Sequence, residues 1–276
     1  MKYKNFLESK LSGLISSDSI LPSGYHLVGH VALLHLDFDM MKYASLIGEQ
    51  TLEYDSRILS VAVRTGPTRG IERSPSYVLV AGDSNTVTTH VEDRVKFRLD
   101  PLRLTFSGGN RRERMRLSKL VRDDEIIVDM FSGVGQFALH IAKSANVKVI
   151  AIEINKEAFQ FLLENIKLNG LENRVTALLG DCREVHPKSL ANRVIMGYLH
   201  NTVEYLPFAL ETLVKEGGII HMHMNVHESN IMNVLMEIEQ LCRKYQYVSI
   251  ADVFHVKSYS PRIGHYVFDI VTSTEA

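Results

Sequence analysis

Residues 126–155 read IIVDMFSGVGQFALHIAKSANVKVIAIEIN. Ile126 to Met130 is a short apolar run with Asp129 near its end, which predicts a buried strand. Phe131-Ser132-Gly133-Val134-Gly135 is a glycine turn, and Phe137, Ile141 and Ala142 then recur at helical spacing. A second apolar strand, Val147 to Ile152, ends in Glu153. This is a βαβ half-unit with the tight turn at which such units hold an adenosine-containing ligand. Glycines allow close backbone approach, and the helix N-terminus presents free N–H groups. An acid at the end of the second strand can accept from both ribose hydroxyls.

Working outward, the 276 residues are 45% hydrophobic and 23% charged, an ordinary globular composition with room for one large or two modest domains. A formal net charge of -1 provides no global field toward nucleic acid or membrane, so RNA affinity must come from local patches. Cys182 and Cys242 form no CxxC pair, which argues against zinc or a disulfide framework. The N-terminal MKYKNFLESKLSGLISS has no long apolar core, and the longest apolar run, around Val31 to Leu36, is only strand-sized. A soluble, cytoplasmic protein without membrane contact is expected.

Residues 1–100 mix short elements and predict a smaller α+β domain. It has helices over Tyr3–Ile15 and Met40–Glu49 and one or two strands over His26–Leu36. A strand over Ile58–Val63 precedes a polar, arginine-bearing loop over Arg64–Pro75. Successive antiparallel strands follow over Tyr77–Ala81, Thr86–Glu92 and Val95–Leu99. Residues 101–276 change texture. A basic helix, Arg111 to Arg122, precedes the 126–155 unit. Further strands are expected at Val175–Leu179, Arg193–Met196 and Ile219–Met224, separated by helices over Glu157–Leu168, Val203–Val214 and Ser229–Tyr245. Strands over Val248–Val256 and Tyr266–Thr272 close the chain. Alternation of β and α from residue 126 onward implies an α/β, doubly wound, mostly parallel sheet.

Gly133-Val134-Gly135 lacks the third glycine of a dinucleotide fingerprint. Glu153 follows the turn by one helix and one strand, as a ribose acceptor should. Gly180-Asp181-Cys182 closes the next strand, where Asp181 can accept from an adenine amino group and the Cys182 backbone can meet a ring nitrogen. The alternative is that Asp129 caps the turn and Glu153 is a solvated strand end. Turn, Glu153 and Asp181 together resemble the S-adenosylmethionine-dependent class I methyltransferase-like, Rossmann-like fold, which implies cofactor contacts at Asp129, Phe131, Gly133, Gly135, Glu153, Asp181 and Cys182.

VDMFSGVGQFALHIAK and ENIKLNGLENRV, with RGIERSPSYVLVAGDSNTVTTHVEDRVKFRLD and FSGGNRRERMRL before them, resemble an archaeal and eukaryotic family that modifies the guanine-derived base 3′ of the tRNA anticodon. One branch is the tRNA guanine-N1 methyltransferase. The other, the wybutosine-synthesis transferase, moves the 3-amino-3-carboxypropyl group of S-adenosylmethionine onto the tricyclic guanine derivative. The methyltransferase branch ends its fourth strand in an Asn-Pro-Pro-like motif. Met196-Gly197-Tyr198 here, His221-Met222-His223 and SYSPRIGHYVFDI are instead similar to the carboxypropyl-transferase branch. The chain departs from the family at Gly108-Gly109-Asn110, where a Pro is frequent, and at Cys182, where archaeal relatives commonly have Asn.

The resemblance implies S-adenosylmethionine as cofactor and tRNA, in particular the anticodon stem-loop of tRNA-Phe, as partner. Residues 1–100 would dock tRNA and residues 101–276 would catalyse. Carboxypropyl transfer requires the methionine arm to be turned toward the acceptor and its charges held. Ser107 and Arg114 are the candidates for its carboxylate, with a solvated helix face or a phosphate contact as the alternative for Arg114. Tyr198 and His200, beyond the strand end, could stack on or hydrogen-bond the incoming base. His221 and His223 share one strand face, which suits a core or pocket-lining role better than a metal site. Arg64, Arg69, Arg73 and the Arg111–Arg122 helix are the basic stretches available to phosphates. The rival readings are the N1-methyltransferase and a catalytically silent module that binds cofactor and RNA.

Overall fold

In the computed structural model, which describes residues 1–16 and 19–274, the chain divides into two units, Met1–Gly108 and Gly109–Ala276. In the first, α1 (Tyr3–Leu11) buries Tyr3, Leu7 and Leu11, one residue per turn. The expected extension to Ile15 does not form, because Gly13 takes φ +78° and Leu14 is exposed. The strands β1 (His26–Val28) and β2 (Val31–Leu34) make a hairpin around Gly29, φ +57°. The helix expected over Met40–Glu49 is a 3₁₀ turn, Phe38–Tyr43, running into α2 (Ala44–Tyr54). Strand β3 (Ser60–Arg69) runs parallel to β2, and β4 (Ser74–Gly82) is antiparallel to β3, giving the order β1-β2-β3-β4.

The loop expected over Arg64–Pro75 is therefore mostly a β-hairpin. Its polar residues are those of an exposed ribbon, and β2 pairs only with Ser60–Val63, so Pro67 interrupts no ladder on that side. Nor do the strands after Tyr77 form one succession. The ribbon β5 (Thr88–Glu92) and β6 (Val95–Leu99) is a separate two-stranded sheet. It turns at Asp93-Arg94, both at positive φ. Leu7, Leu34, Ile47, Val61 and Val63 anchor the core of this unit.

The second unit opens with α3 (Arg111–Leu120). The 126–155 stretch then forms β7 (Ile126–Asp129), α4 (Ala138–Ser144) and β8 (Lys148–Glu153). Next come α5 (Lys156–Leu168), β9 (Val175–Leu179), a short α6 (Cys182–Val185) and β10 (Arg193–Met196). A 3₁₀ turn, Thr202–Tyr205, leads into α7 (Leu206–Thr212), so the helix expected over Val203–Val214 is split and shorter. The chain finishes with β11 (Ile219–His227), α8 (Ile231–Lys244), β12 (Tyr247–Ser260) and β13 (Ile263–Thr274).

The sheet order is β12-β13-β11-β10-β7-β8-β9. The five strands β7 to β11 are mutually parallel, and β13 and β12 are added antiparallel at one edge. Val128, Val194, Met196, Ile220, Met222 and Phe268 bury the sheet in one core. The chain steps from β7 outward to β9 and then returns to the other side of β7 as β10. The C-terminal ends of β7 and β10 thus border a topological switch point, where open α/β sheets form their ligand crevice.

Candidate functional site

Asp129, the last residue of β7, is fully buried. Its Oδ1 accepts from the Phe131 amide at 3.3 Å, and its Oδ2 has no hydrogen-bond partner. Burial pushes this carboxyl up to about 7, helped by the Glu153 charge and opposed by the amides of Phe131 and Ala138. Asp129 does help to cap the turn, but one buried oxygen remains for a further donor.

The turn itself is held from three sides. Ser132 N donates to Ile152 O at 2.9 Å, Gly135 N closes onto Ser132 O at 2.8 Å, and Asn165 Nδ2 of α5 donates to Val134 O at 3.0 Å. Gly133 (φ +56°) and Gly135 (φ +96°) adopt conformations that favour glycine. A Cβ on Gly135 would strike Leu139 and Leu162. One on Gly133 would enter open space, with Gln136 Nε2 nearest at 3.9 Å.

Glu153 is buried at the end of β8, not a solvated strand end. Its Oε2 accepts from Gly133 N at 2.6 Å and its Oε1 from Asn155 N at 2.8 Å. Asn155 caps α5 by accepting from the amides of Glu157 and Ala158.

At the end of β9, Asp181 accepts from Arg183 N at 2.9 Å and from the Arg183 guanidinium, which holds its carboxyl below the usual range. The Cys182 side chain is buried in the core, and burial, then Asp181, pushes its thiol up to about 12. Only its backbone is available to a ligand. Across the switch point, Tyr198 stacks on Phe131, with ring centroids 5.2 Å apart and planes at 21°. Tyr205 meets both rings edge-on at 5.1 and 5.7 Å, and His200 stands 6.0 Å from Tyr198. The Arg183 guanidinium lies 5.5 Å over Tyr205, linking the Asp181 corner to the aromatic one.

Arg114 is 1% exposed, so it is not part of a solvated helix face. Its Nη1 donates to Gln136 Oε1 at 3.3 Å, which ties α3 to the glycine turn. Arg116 is half-buried. It donates to Glu113 at 2.8 Å and to Asp269 at 2.5 and 3.1 Å. Of the expected basic stretch, Arg111, Arg112, Lys119 and Arg122 remain exposed. Ser107 is half-buried and lies in the first unit, one residue before its last, Gly108.

His221 and His223 are buried on one face of β11, as their alternation requires. His221 Nδ1 lies 2.6 Å from Asp269 Oδ1, and its Nε2 2.7 Å from Arg193 Nη1. Arg193 also donates to Glu125 at 2.7 and 2.9 Å. Burial alone would raise the Asp269 carboxyl, but His221 and Arg116 outweigh it and hold it well below the usual carboxylate range. His223 rests against Phe137, and its Nδ1 lies 3.1 Å from His265 Nε2. Burial and then His265 depress its pKa well below normal. These groups hold the sheet together beneath the crevice.

Asp129, Phe131, Gly133, Gly135, Glu153, Tyr198, His200 and Arg114 are thus linked directly or through one neighbour. Asp181 and Cys182 join them through Arg183 and Tyr205. Sequence reasoning missed Gln136, Arg183 and Tyr205. Arg183 alone had a signal, its place two residues after a helix-capping Asp. The open space over Gly133, the unpartnered Asp129 oxygen and the carboxylate of Glu153 at the end of β8 suit an adenosyl group bearing hydroxyl donors.

Comparison with known proteins agrees over both units. Residues 88–250 match the TRM5/TYW2 methyltransferase domain, and residues 7–86 match the TYW2 N-terminal domain. The chain is 38% identical over 255 residues to a tRNA(Phe) (4-demethylwyosine(37)-C(7)) aminocarboxypropyltransferase of Pyrococcus horikoshii, covering 91% of this chain and 90% of that one. It is 31% identical to the tRNA (guanine(37)-N(1))-methyltransferase Trm5b of Pyrococcus abyssi, covering 92% and 76%. The solved structure of P. horikoshii TYW2 in complex with MeSAdo superposes with a TM-score of 0.85 at 33% identity, covering 99% of this chain and 100% of that one. With its Rossmann-like sheet and both sequence halves matched, this chain belongs to the TRM5/TYW2 methyltransferase domain family.

Proposed function

We propose that this protein is an S-adenosylmethionine-dependent tRNA aminocarboxypropyltransferase of wybutosine synthesis. It moves the 3-amino-3-carboxypropyl group onto the tricyclic guanine derivative 3′ of the anticodon of tRNA-Phe. The observation that carries this reading is the strand end at the switch point. Gly197-Tyr198 follows β10, with Tyr198 stacked on Phe131, where the methyltransferase branch has an Asn-Pro-Pro-like motif. The 38% identity to the P. horikoshii aminocarboxypropyltransferase and the match to the TYW2 N-terminal domain support it. A cytoplasmic setting belongs to the same reading. No helix among the described residues is long and apolar enough to cross a membrane.

The sulfonium supplies its own leaving group: the acceptor's electron pair bonds to the γ-carbon of the arm, the carbon–sulfur bond breaks, its pair stays on sulfur as neutral methylthioadenosine, and the acceptor's proton passes to solvent. The chain therefore has to bind, orient and exclude water. Glu153 receives the ribose hydroxyls, while Asp181 and the Cys182 backbone meet the adenine edge. Asp129 and the amides around Phe131, Gly133 and Gly135 seat the turn against the ligand. Arg114 receives the carboxylate of the arm by charge-assisted hydrogen bonds. Tyr198 and His200 orient the acceptor base by stacking and hydrogen bonding.

The test is incubation with precursor tRNA-Phe and S-adenosylmethionine, digestion, and mass measurement of the modified nucleoside. An aminocarboxypropyl gain is expected. A methyl gain would identify the N1-methyltransferase, and no gain a silent binding module.

A further inference from the structure

On β11 the side chains of His221, His223 and Asn225 alternate onto one face of the sheet. Ile195 of β10 stands in register with His221 on one side and with Asp129 on the other, and His265 of β13 stands opposite Asn225. Residues in register across neighbouring strands share a face, so Asp129, His223, Asn225 and His265 project from the same side. Among the described residues, Asn225 Oδ1 and Nδ2, His265 Nδ1, His223 Nε2 and Asp129 Oδ2 are buried without a hydrogen-bond partner, a condition shared by Gln50 Oε1 and Asn110 Oδ1. Glu113 Oε1 lies 3.9 Å from His223 Nε2, beyond hydrogen-bond reach. Unmet donors and acceptors weaken a fold, so their concentration on one face of a sheet points to a partner outside the chain.

These groups border the crevice. The Asn225 backbone N–H donates to Leu199 O at 3.0 Å, which fastens β11 to the segment that carries Tyr198 and His200. Gly197 opens that segment, and a Cβ there would meet Phe137 at 3.4 Å and Phe131 O at 3.9 Å. Phe137 in turn rests on His223. In the order β13-β11-β10-β7-β8-β9, the residues assigned to the adenosine lie at the ends of β7, β8 and β9, which leaves the ends of β10 and β11 for the second reactant. The chemistry of the groups sets its character. An amide offers a donor and an acceptor in one plane and carries no charge. Burial lowers the pKa of His223 and of His265, so this pair is neutral near pH 7 as well. Asp269 and Arg116 nearby are already paired with each other, and Asp269 also with His221. Neutral donors and acceptors suit the edge of a heterocyclic base, whereas a carboxylate or phosphate calls for cations.

We propose that Asn225 is a recognition residue for the acceptor base. Its Nδ2 donates to a carbonyl or ring nitrogen on the edge of the base, and its Oδ1 accepts from a ring N–H. This role rests on the proposed function, in which the acceptor is a guanine-derived base. Stacking on Tyr198 uses the flat face that every base presents, whereas the Asn225 contact depends on which groups the edge carries. The His223–His265 contact, 3.1 Å, joins β11 to β13 beside Asn225 and holds its strand in place.

The experiment is single-turnover transfer from S-adenosylmethionine to precursor tRNA-Phe by the full-length protein, with calorimetric S-adenosylmethionine affinity and melting temperature measured alongside. Asn225→Leu replaces the amide by an apolar group of similar size. It is expected to slow transfer about 10- to 100-fold through loss of the contacts to the base. Its S-adenosylmethionine affinity should stay within about twofold, and its melting temperature should stay level or rise by about 2–4 °C, because two unpartnered polar atoms are removed. Asn225→Ala should slow transfer to the same extent without adding bulk. Wild-type rates in both variants would overturn the inference. So would a loss of S-adenosylmethionine affinity in step with the rate, which would place Asn225 at the cofactor. A slow Asn225→Leu beside a normal Asn225→Ala would be a steric effect, and a lowered melting temperature of Asn225→Leu would assign the amide to packing; either contradicts the role. If the wild-type protein transfers no carboxypropyl group, the proposed function itself fails. If it transfers and both variants match it, only the role of Asn225 fails.

Discussion

Asp129 shows how one residue links stability to binding. A carboxyl buried at the end of β7 with one oxygen unpartnered holds its proton up to about pH 7, whereas in the unfolded chain it ionises near 3.8. Because the folded state then binds more protons, stability falls as pH rises between those values and is level above them. Buried His265, held near 4, acts in the opposite direction. Its contribution is full above its unfolded pKa and is lost as pH falls toward 4. Asp129→Asn removes only the first effect. Denaturant unfolding of both proteins at pH 5 and pH 8 should find the variant gaining about 2–3 kcal/mol relative to wild type across that interval. A difference that does not change with pH would contradict the assignment. Asp129 and Glu153 were legible in the sequence because strand ends are fixed by apolar runs. Gln136 and Tyr205 were not, because their partners lie on other elements and no local pattern announces them, and Arg183 showed only through its place two residues after the capping Asp181.

At the scale of the element, the β7–α4 turn is built to leave space on one side and fill it on the other. Gly133 faces open space, and Gly135 faces Leu139 and Leu162. Gly135→Ala combines a disfavoured φ with overpacking and should cost about 2–5 kcal/mol of unfolding free energy, measured by denaturant titration. A cost below about 1 kcal/mol would mean that the turn is not held as described. Strands β7, β9 and β10 were readable to the residue or nearly so, because buried parallel strands are short continuous apolar runs. The β3–β4 hairpin was not, since an exposed ribbon has the polar, Gly/Pro-bearing texture of a loop. The basic look of α3 was misleading for a related reason. Arg114 and Arg116 face inward to Gln136, Glu113 and Asp269, which the helical period alone does not distinguish from a solvated row.

For the whole molecule, a net charge of -1 leaves tRNA binding to the exposed residues of each unit: Arg64 and Arg69 on the hairpin of the first, Arg111, Arg112, Lys119 and Arg122 in the second. If these meet phosphates, Arg69→Ala with Arg111→Ala should weaken tRNA binding and flatten the slope of log affinity against log salt by about 0.7–0.9 per lost contact. Unchanged slopes would remove those residues from the interface. The architecture of the second unit does not choose between methyl and carboxypropyl transfer, because its sheet serves both branches. On the proposed function, the choice lies in Gly197-Tyr198 and in the charges that would hold the arm. The most direct measurement is the nucleoside left by the cofactor after a single turnover on precursor tRNA-Phe. Methylthioadenosine in equal amount to modified tRNA is predicted; S-adenosylhomocysteine in its place would contradict the account.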